Sequence, residues 1–115
     1  MTFAFDNSFH RTMEGFYAAC EPDAASKPEL VAFNDALAAE LGLDRSGVSD
    51  AELAALLSGA ALPDGAQPIA LTYAGHQFGQ FNPQLGDGRA HLLGEIVAPD
   101  ARRFDIQLKG SGRTP

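Results

Sequence analysis

A period of two in the last third of the chain restricts the fold more than any other feature. Between Phe104 and Lys109 the apolar Phe104, Ile106 and Leu108 alternate with Asp105, Gln107 and Lys109. Only an extended strand sends successive side chains to opposite faces. A second strand-like run, Ala90 to Val97, lies before it, and the intervening Ala98-Pro99-Asp100-Ala101 carries a Pro-Asp turn signal. The pair predicts an antiparallel β-hairpin with the apolar set on a core and Lys109 facing a cleft or solvent. Closing that hairpin brings Arg89, at the start of one strand, beside Lys109, at the end of the other.

Two Gly-x-Gly-Arg sequences flank these strands, Gly86-Asp87-Gly88-Arg89 before them and Gly110-Ser111-Gly112-Arg113 after them. Paired glycines let backbone N–H groups converge and let a ligand approach the main chain. Arginine adds a planar fork of donors that matches phosphate oxygens, and lysine adds a compact point charge. The combination reads as an anion site suited to a nucleotide polyphosphate. A plain hairpin turn with a solvated arginine accounts for either tetrapeptide taken alone. Two of them around one lysine leave both readings standing.

The first half reads as helical. Ser26 and Glu29 have the spacing of a capping box, and Leu30, Phe33, Leu37 and Leu41 follow on one stripe up to Gly42. Ser49 and Glu52 open a shorter helix carrying Leu53, Leu56 and Leu57 before Gly59. Nearer the start, Phe3, Phe5 and Phe9 alternate with other residues, and Met13, Phe16, Tyr17 and Cys20 fall at helical spacing broken by Gly15. These aromatics read as core contacts. Pro63-Asp64-Gly65 and Pro68 form a turn-rich connector too short to separate domains. In the Ile69–Gly79 run periodicity does not decide the structure, and His76 reads as a buried structural histidine ahead of a general base, having no cysteine or histidine close in sequence.

Composition narrows the function. A hydrophobic content of 45% with 20% charged residues fits a globular chain, and 115 residues give room for one domain. The formal charge of −7 argues against a nucleic-acid surface. Arg89, Arg102, Arg103, Lys109 and Arg113 nevertheless supply five of the eight basic residues, which predicts a local positive site in an acidic body. Cys20 stands alone, excluding an internal disulfide and a thiolate metal cage. No run approaches the ~20 apolar residues of a membrane span and no signal segment opens the chain. A soluble, cytoplasmic protein is the expectation.

Longer strings carry a more specific signal. FDNSF near the start, PELVAFNDALAAELGLD, YAGHQFGQFNPQLGDGRAHLLGE and DIQLKGSGRTP run in order across nearly the whole chain. In these the chain resembles the N-terminal part of the selenoprotein O family, the pseudokinase-like protein adenylyltransferases. The resemblance implies a protein-kinase-like fold, ATP bound in a flipped orientation, and transfer of AMP to Ser, Thr or Tyr hydroxyls of other proteins. It assigns Gly86, Gly88, Arg89 and Lys109 to ATP. It also implies that magnesium or manganese, its Asn/Asp ligands, a paired glutamate, further arginines and the catalytic aspartate belong to sequence beyond Pro115. Neither a catalytic residue nor a metal ligand is therefore expected within these residues.

The resulting expectation is an α+β fold: N-terminal helices over about 1–62, then strands over about 69–115 with an antiparallel hairpin, together the N-terminal portion of one kinase-like domain spanning 1–115. By itself such a piece is expected to lack activity. Two alternatives stand beside the adenylyltransferase reading. In the adenylyltransferase reading Gly110, Gly112 and Arg113 line the continuation of the loop; the first alternative is a non-catalytic nucleotide- or anion-binding module. The other is a structural piece whose hairpin edges and apolar helix faces drive self-association.

Overall fold

A computed structural model of the chain describes residues 1–86 and 88–115. The order of elements is α1 (Ser8–Thr12), β1 (Tyr17–Ala19), α2 (Asp35–Glu40), α3 (Asp50–Ser58), β2 (Ile69–Gln77), β3 (Gln80–Gly86), β4 (Ala90–Val97) and β5 (Arg103–Lys109). The fold is α+β. Its five strands form an antiparallel sheet ordered β1-β2-β4-β5, with β3 on the outer part of β2, in keeping with a kinase-like N-lobe.

The hairpin expected from the period of two is β4–β5. Its register runs from Val97 opposite Arg103 at the turn to Ala90 opposite Lys109 at the open end. Along β5 Phe104 and Ile106 are half-buried and Leu108 is buried, while Asp105, Gln107 and Lys109 are exposed. Central β4 is covered from Ala90 through Ile96. Its Leu92, Leu93 and Ile96 form the core with Ile69 of β2 and Leu53 of α3. Each fully buried large aliphatic side chain of this kind contributes roughly 1.5–3 kcal/mol to the fold.

Helix α3 begins as its sequence predicts. Ser49 Oγ accepts from Glu52 N, Glu52 Oε2 accepts from Ser49 N, and Gly59 ends the helix at φ 84°. The other helical expectation is corrected at its start: α2 runs only from Asp35 to Glu40, and its N-cap is Asn34, whose Oδ1 accepts from Leu37 N at 3.0 Å. Ser26 cannot serve as the cap because Lys27, the first helical position it would require, precedes Pro28 and is biased away from helical ψ. Val31, inside the expected helix, is 97% exposed.

The expected helix through Met13, Phe16, Tyr17 and Cys20 is overturned as well. Gly15 turns the chain at φ 92°, and β1 then pairs with β2, Tyr17 opposite Leu71 and Ala19 opposite Ile69. Backbone bonds from Thr72 N to the Phe16 carbonyl and from Cys20 N to the Pro68 carbonyl extend the pairing. Strand pairing satisfies these backbone groups where an eight-residue helix broken by glycine would not. Of the aromatics, Phe3 is buried and stacks on Phe5, whereas Phe16 is exposed.

The N-terminal segment closes over β4. Phe5 bridges to Ile96, and buried Glu95 accepts from Ser8 Oγ at 2.6 Å and Phe9 N at 2.8 Å. A Cβ on Gly94 would stand 2.2 Å from Asn7 Oδ1 and 2.7 Å from the Phe5 ring, so only glycine admits this crossing. Arg103 and Arg11 hydrogen-bond Asp6 and hold its carboxyl below its ordinary pKa.

Beyond the core, β2 and β3 project as a two-stranded arm with Phe78 and Phe81 exposed. His76, read from sequence as buried, lies on this arm opposite Phe81 and is exposed. The reason is topological: β3 is an edge strand, which also tolerates Pro83, and none of the three helices covers that part of the sheet. Among the described residues, no helix is long and apolar enough to cross a membrane.

Because α3 owes its start to the Ser49 box, Ser49→Ala is expected to lower unfolding free energy by about 1 kcal/mol with an unchanged denaturant slope, measured by urea titration.

Candidate functional site

The site stands at the open end of the β4–β5 hairpin. Lys109 is the last residue of β5 and faces Ala90 across the ladder, so Arg89 enters the sheet beside it. The sheet pleat puts Lys109 on the face opposite buried Leu108. A cleft of about 290 Å³ is lined there by Tyr73, Arg89, Ala90, Gln107, Lys109 and Gly110. Arg89, Lys109 and Gly110 also line an adjoining hollow of about 360 Å³ that reaches Asp23, Ser58, Ser111 and Gly112.

Charge separates these cations from the rest. Arg11, Arg45, Arg102 and Arg103 each lie within 4 Å of a carboxylate. Among the described residues, Arg89, Lys109 and Arg113 form no such pair, nor does Lys27, which stands outside the C-terminal basic cluster. Arg102 and Arg103 belong to the closed end of the hairpin, where they pair with Glu40, Asp100 and Asp6. The basic cluster of the sequence is therefore split. Its unpaired members gather at the open end, where an anion gains the most by entering.

The two Gly-x-Gly-Arg segments are clasped together. Gly110 N and Ser111 N both donate to the Arg89 carbonyl, at 2.8 and 3.1 Å. Thr114 N and Thr114 Oγ1 donate to the Gly88 carbonyl, at 3.1 and 2.8 Å. This revises the glycine argument for the second segment: the amides of Gly110 and Ser111 are spent on Arg89, so the turn braces the site rather than presenting a row of open donors. In the first segment Gly88 has φ 72° and open space where a Cβ would lie, while Gly86 lies close to the Pro115 carbonyl. Asp87 lies outside the described residues. Backbone access thus belongs to the first segment, with Arg89 and Lys109 supplying charge.

Four contributors escaped the sequence reading. Tyr73 Oη donates to the Gly86 carbonyl at 3.3 Å and walls the cleft. Gln107 shares the polar face of β5 with Lys109, which the period of two already implied. Asp23 N donates to the Ser111 carbonyl at 2.8 Å, and its carboxylate would stand 2.6 Å from a Cβ on Gly112. His91 has Nδ1 2.7 Å from Ser111 Oγ and Nε2 3.4 Å from Cys20 Sγ. Nothing local in the sequence joins residues 20, 23, 91 and 111; only strand pairing does.

The charged side chains that line the cleft, Arg89 and Lys109, suit an anion. Among the described residues, no group of three or more His, Cys, Asp and Glu side chains could hold a metal ion.

Comparison with known proteins places these features in a family. The sequence profile described as "Protein adenylyltransferase SelO" matches residues 1–115. The chain is 70% identical over 114 residues to a "Protein nucleotidyltransferase YdiU" of Sphingopyxis alaskensis, covering 99% of this chain and 23% of the relative. It is 56% identical over 115 residues to the protein of that name from Cereibacter sphaeroides, covering 100% of this chain and 24% of the relative. The Rhizobium etli protein of that name is 56% identical over 113 residues, covering 98% of this chain and 22% of the relative. The chain thus spans about a quarter of the length of the curated relatives it matches.

Gly112 combines φ 120° with the Asp23 contact. Gly112→Ala is expected to cost about 1–3 kcal/mol by thermal or urea unfolding. Adding Asp23→Ala should recover the steric part and leave the backbone part.

Proposed function

The chain belongs to the protein adenylyltransferase SelO family, and from that premise we propose that it is the phosphate-holding N-terminal part of an ATP-dependent protein adenylyltransferase. The observation that carries this reading is the pairing of Arg89 with Lys109 at the open end of one hairpin, both lining one cleft and neither in an ion pair among the described residues. Lys109 supplies a point charge and Arg89 a planar fork to the phosphate oxygens of ATP, and Gly86 and Gly88 let the nucleotide approach the main chain. Residues 1–115 serve as the N-terminal portion of a single kinase-like domain.

In the whole protein, a hydroxyl of a Ser, Thr or Tyr on a protein substrate attacks the α-phosphorus of ATP. The α–β anhydride breaks, the hydroxyl gives its proton to a base elsewhere in the family-length protein, AMP becomes esterified to the hydroxyl oxygen and pyrophosphate departs with the bonding electron pair. A divalent cation neutralises phosphate charge in chemistry of this class. Among the described residues no group of three or more His, Cys, Asp and Glu side chains could hold a metal ion, and no step here is assigned to one. Their part is to bind and orient the phosphates, an electrostatic and positional contribution. A reducing cytoplasmic setting accompanies the reading, supported by the single free cysteine, Cys20.

In the family-length protein carrying this sequence, Lys109→Ala is expected to lower AMP transfer from labelled ATP by about 100-fold or more, as for removal of a group that holds developing charge. Transfer at the wild-type rate would remove the role given to Lys109.

A further inference from the structure

The Gly110–Arg113 turn is held in front by the carbonyl of Arg89, with Thr114 just after it on the carbonyl of Gly88, and behind by side chains from β4 and from the segment that follows β1. His91 of β4 is fully buried, and Ser111 is 6% exposed. The imidazole bridges them to Cys20, which follows β1: Nδ1 lies 2.7 Å from Ser111 Oγ and Nε2 3.4 Å from Cys20 Sγ. Cys20 Sγ in turn lies 3.7 Å from the Arg113 carbonyl. The contacts therefore leave the turn at residue 111 and return to it at residue 113. They form a closed ring behind a segment whose two glycines, at φ 74° and 120°, bring no side chains of their own.

The chemistry of this ring restricts the turn. An imidazole that donates from Nε2 to Cys20 Sγ and accepts at Nδ1 from Ser111 Oγ leaves the single thiol proton for the Arg113 carbonyl, so this arrangement closes the ring; with the proton on Nδ1, the thiol proton goes to Nε2 and the Arg113 contact is not a hydrogen bond. An apolar side chain at position 91 would fill the same space yet remove this partner from a buried hydroxyl, whose desolvation then opposes the observed rotamer. Ser111 is two residues from Lys109, and Arg113 follows two residues later. The strand ladder sets the face from which Lys109 projects, and Ser111 anchors the turn that leaves β5 directly after it.

We propose that His91 is a positioning residue of the nucleotide site, holding the Gly110–Arg113 turn through Ser111 so that Lys109 stands at the phosphates. The role rests on the phosphate-binding reading given above. It differs from a packing role in being specific to one ring nitrogen. Asparagine places an amide where Nδ1 lies and keeps a partner for Ser111; glutamine reaches the Nε2 position and keeps a partner for Cys20. Both remove comparable packing.

The test compares ATP dissociation constants and melting temperatures of the family-length protein with His91→Asn, His91→Gln, Ser111→Ala and Lys109→Ala. The expected result is that His91→Gln and Ser111→Ala weaken ATP binding about five- to tenfold, the scale of one lost hydrogen bond. His91→Asn should stay within about twofold of wild type, although it melts no higher than His91→Gln. Equal affinities for the two His91 variants, or affinities that follow melting temperature, would overturn the positioning role while a weakened Lys109→Ala leaves the phosphate reading intact. Unchanged affinity in Lys109→Ala would overturn both. Should either His91 variant fail to fold, Ser111→Ala decides: wild-type affinity in that variant overturns the proposal.

Discussion

The carbonyl of Arg89 accepts the amides of Gly110 and Ser111, and this pair of bonds closes the open end of the β4–β5 hairpin. Much else depends on that closure. It sets Arg89 beside Lys109, draws the second glycine segment across the first, and lets Thr114 reach the Gly88 carbonyl. Without it two flexible glycine segments would pay the entropy of ordering separately. With it they form one unit on the end of a buried strand. A cationic pair at the surface is costly to assemble because like charges repel, and the rigid ladder beneath it holds the two together before any anion arrives.

The sequence made this end of the molecule legible for a simple reason. Period-two alternation, Pro-Asp turn chemistry and flanking glycines all act within about twenty-five residues, so β4, β5 and the nearness of Arg89 to Lys109 followed from local rules. The Ser49 capping box was equally local. What failed was decided at a distance. Tyr17 and Cys20 sit at helical spacing, yet the β2 edge offered their backbone a better partner. The Ser26 box failed through a rule that was present in the sequence, since Pro28 disfavours helical ψ at Lys27. His76 was misplaced because burial depends on what covers a strand, and nothing local to YAGHQFG states that.

The candidate site divides along the same line. Its charged members could be named from sequence, and their common face followed from register. Asp23, Tyr73 and His91 could not, because strand pairing alone carries them to the glycine segments. Local pattern supplies the groups that meet a ligand, and tertiary structure supplies the groups that hold them. A family resemblance read from whole strings such as YAGHQFG and QLGDGRA adds what neither supplies, namely which anion to expect. The present structure adds in return that the second glycine segment is bonded across the first, with the Gly110 and Ser111 amides on the Arg89 carbonyl and Thr114 on the Gly88 carbonyl.

The central claim is that Arg89 and Lys109 act on one anion. A double-mutant cycle on ATP affinity in the family-length protein, using Arg89→Ala, Lys109→Ala and the double variant, tests it most directly. Residues sharing one partner are predicted to show a coupling energy above about 0.5 kcal/mol. Losses that add to within about 0.3 kcal/mol would mean that the two side chains act independently, and would contradict a shared phosphate site.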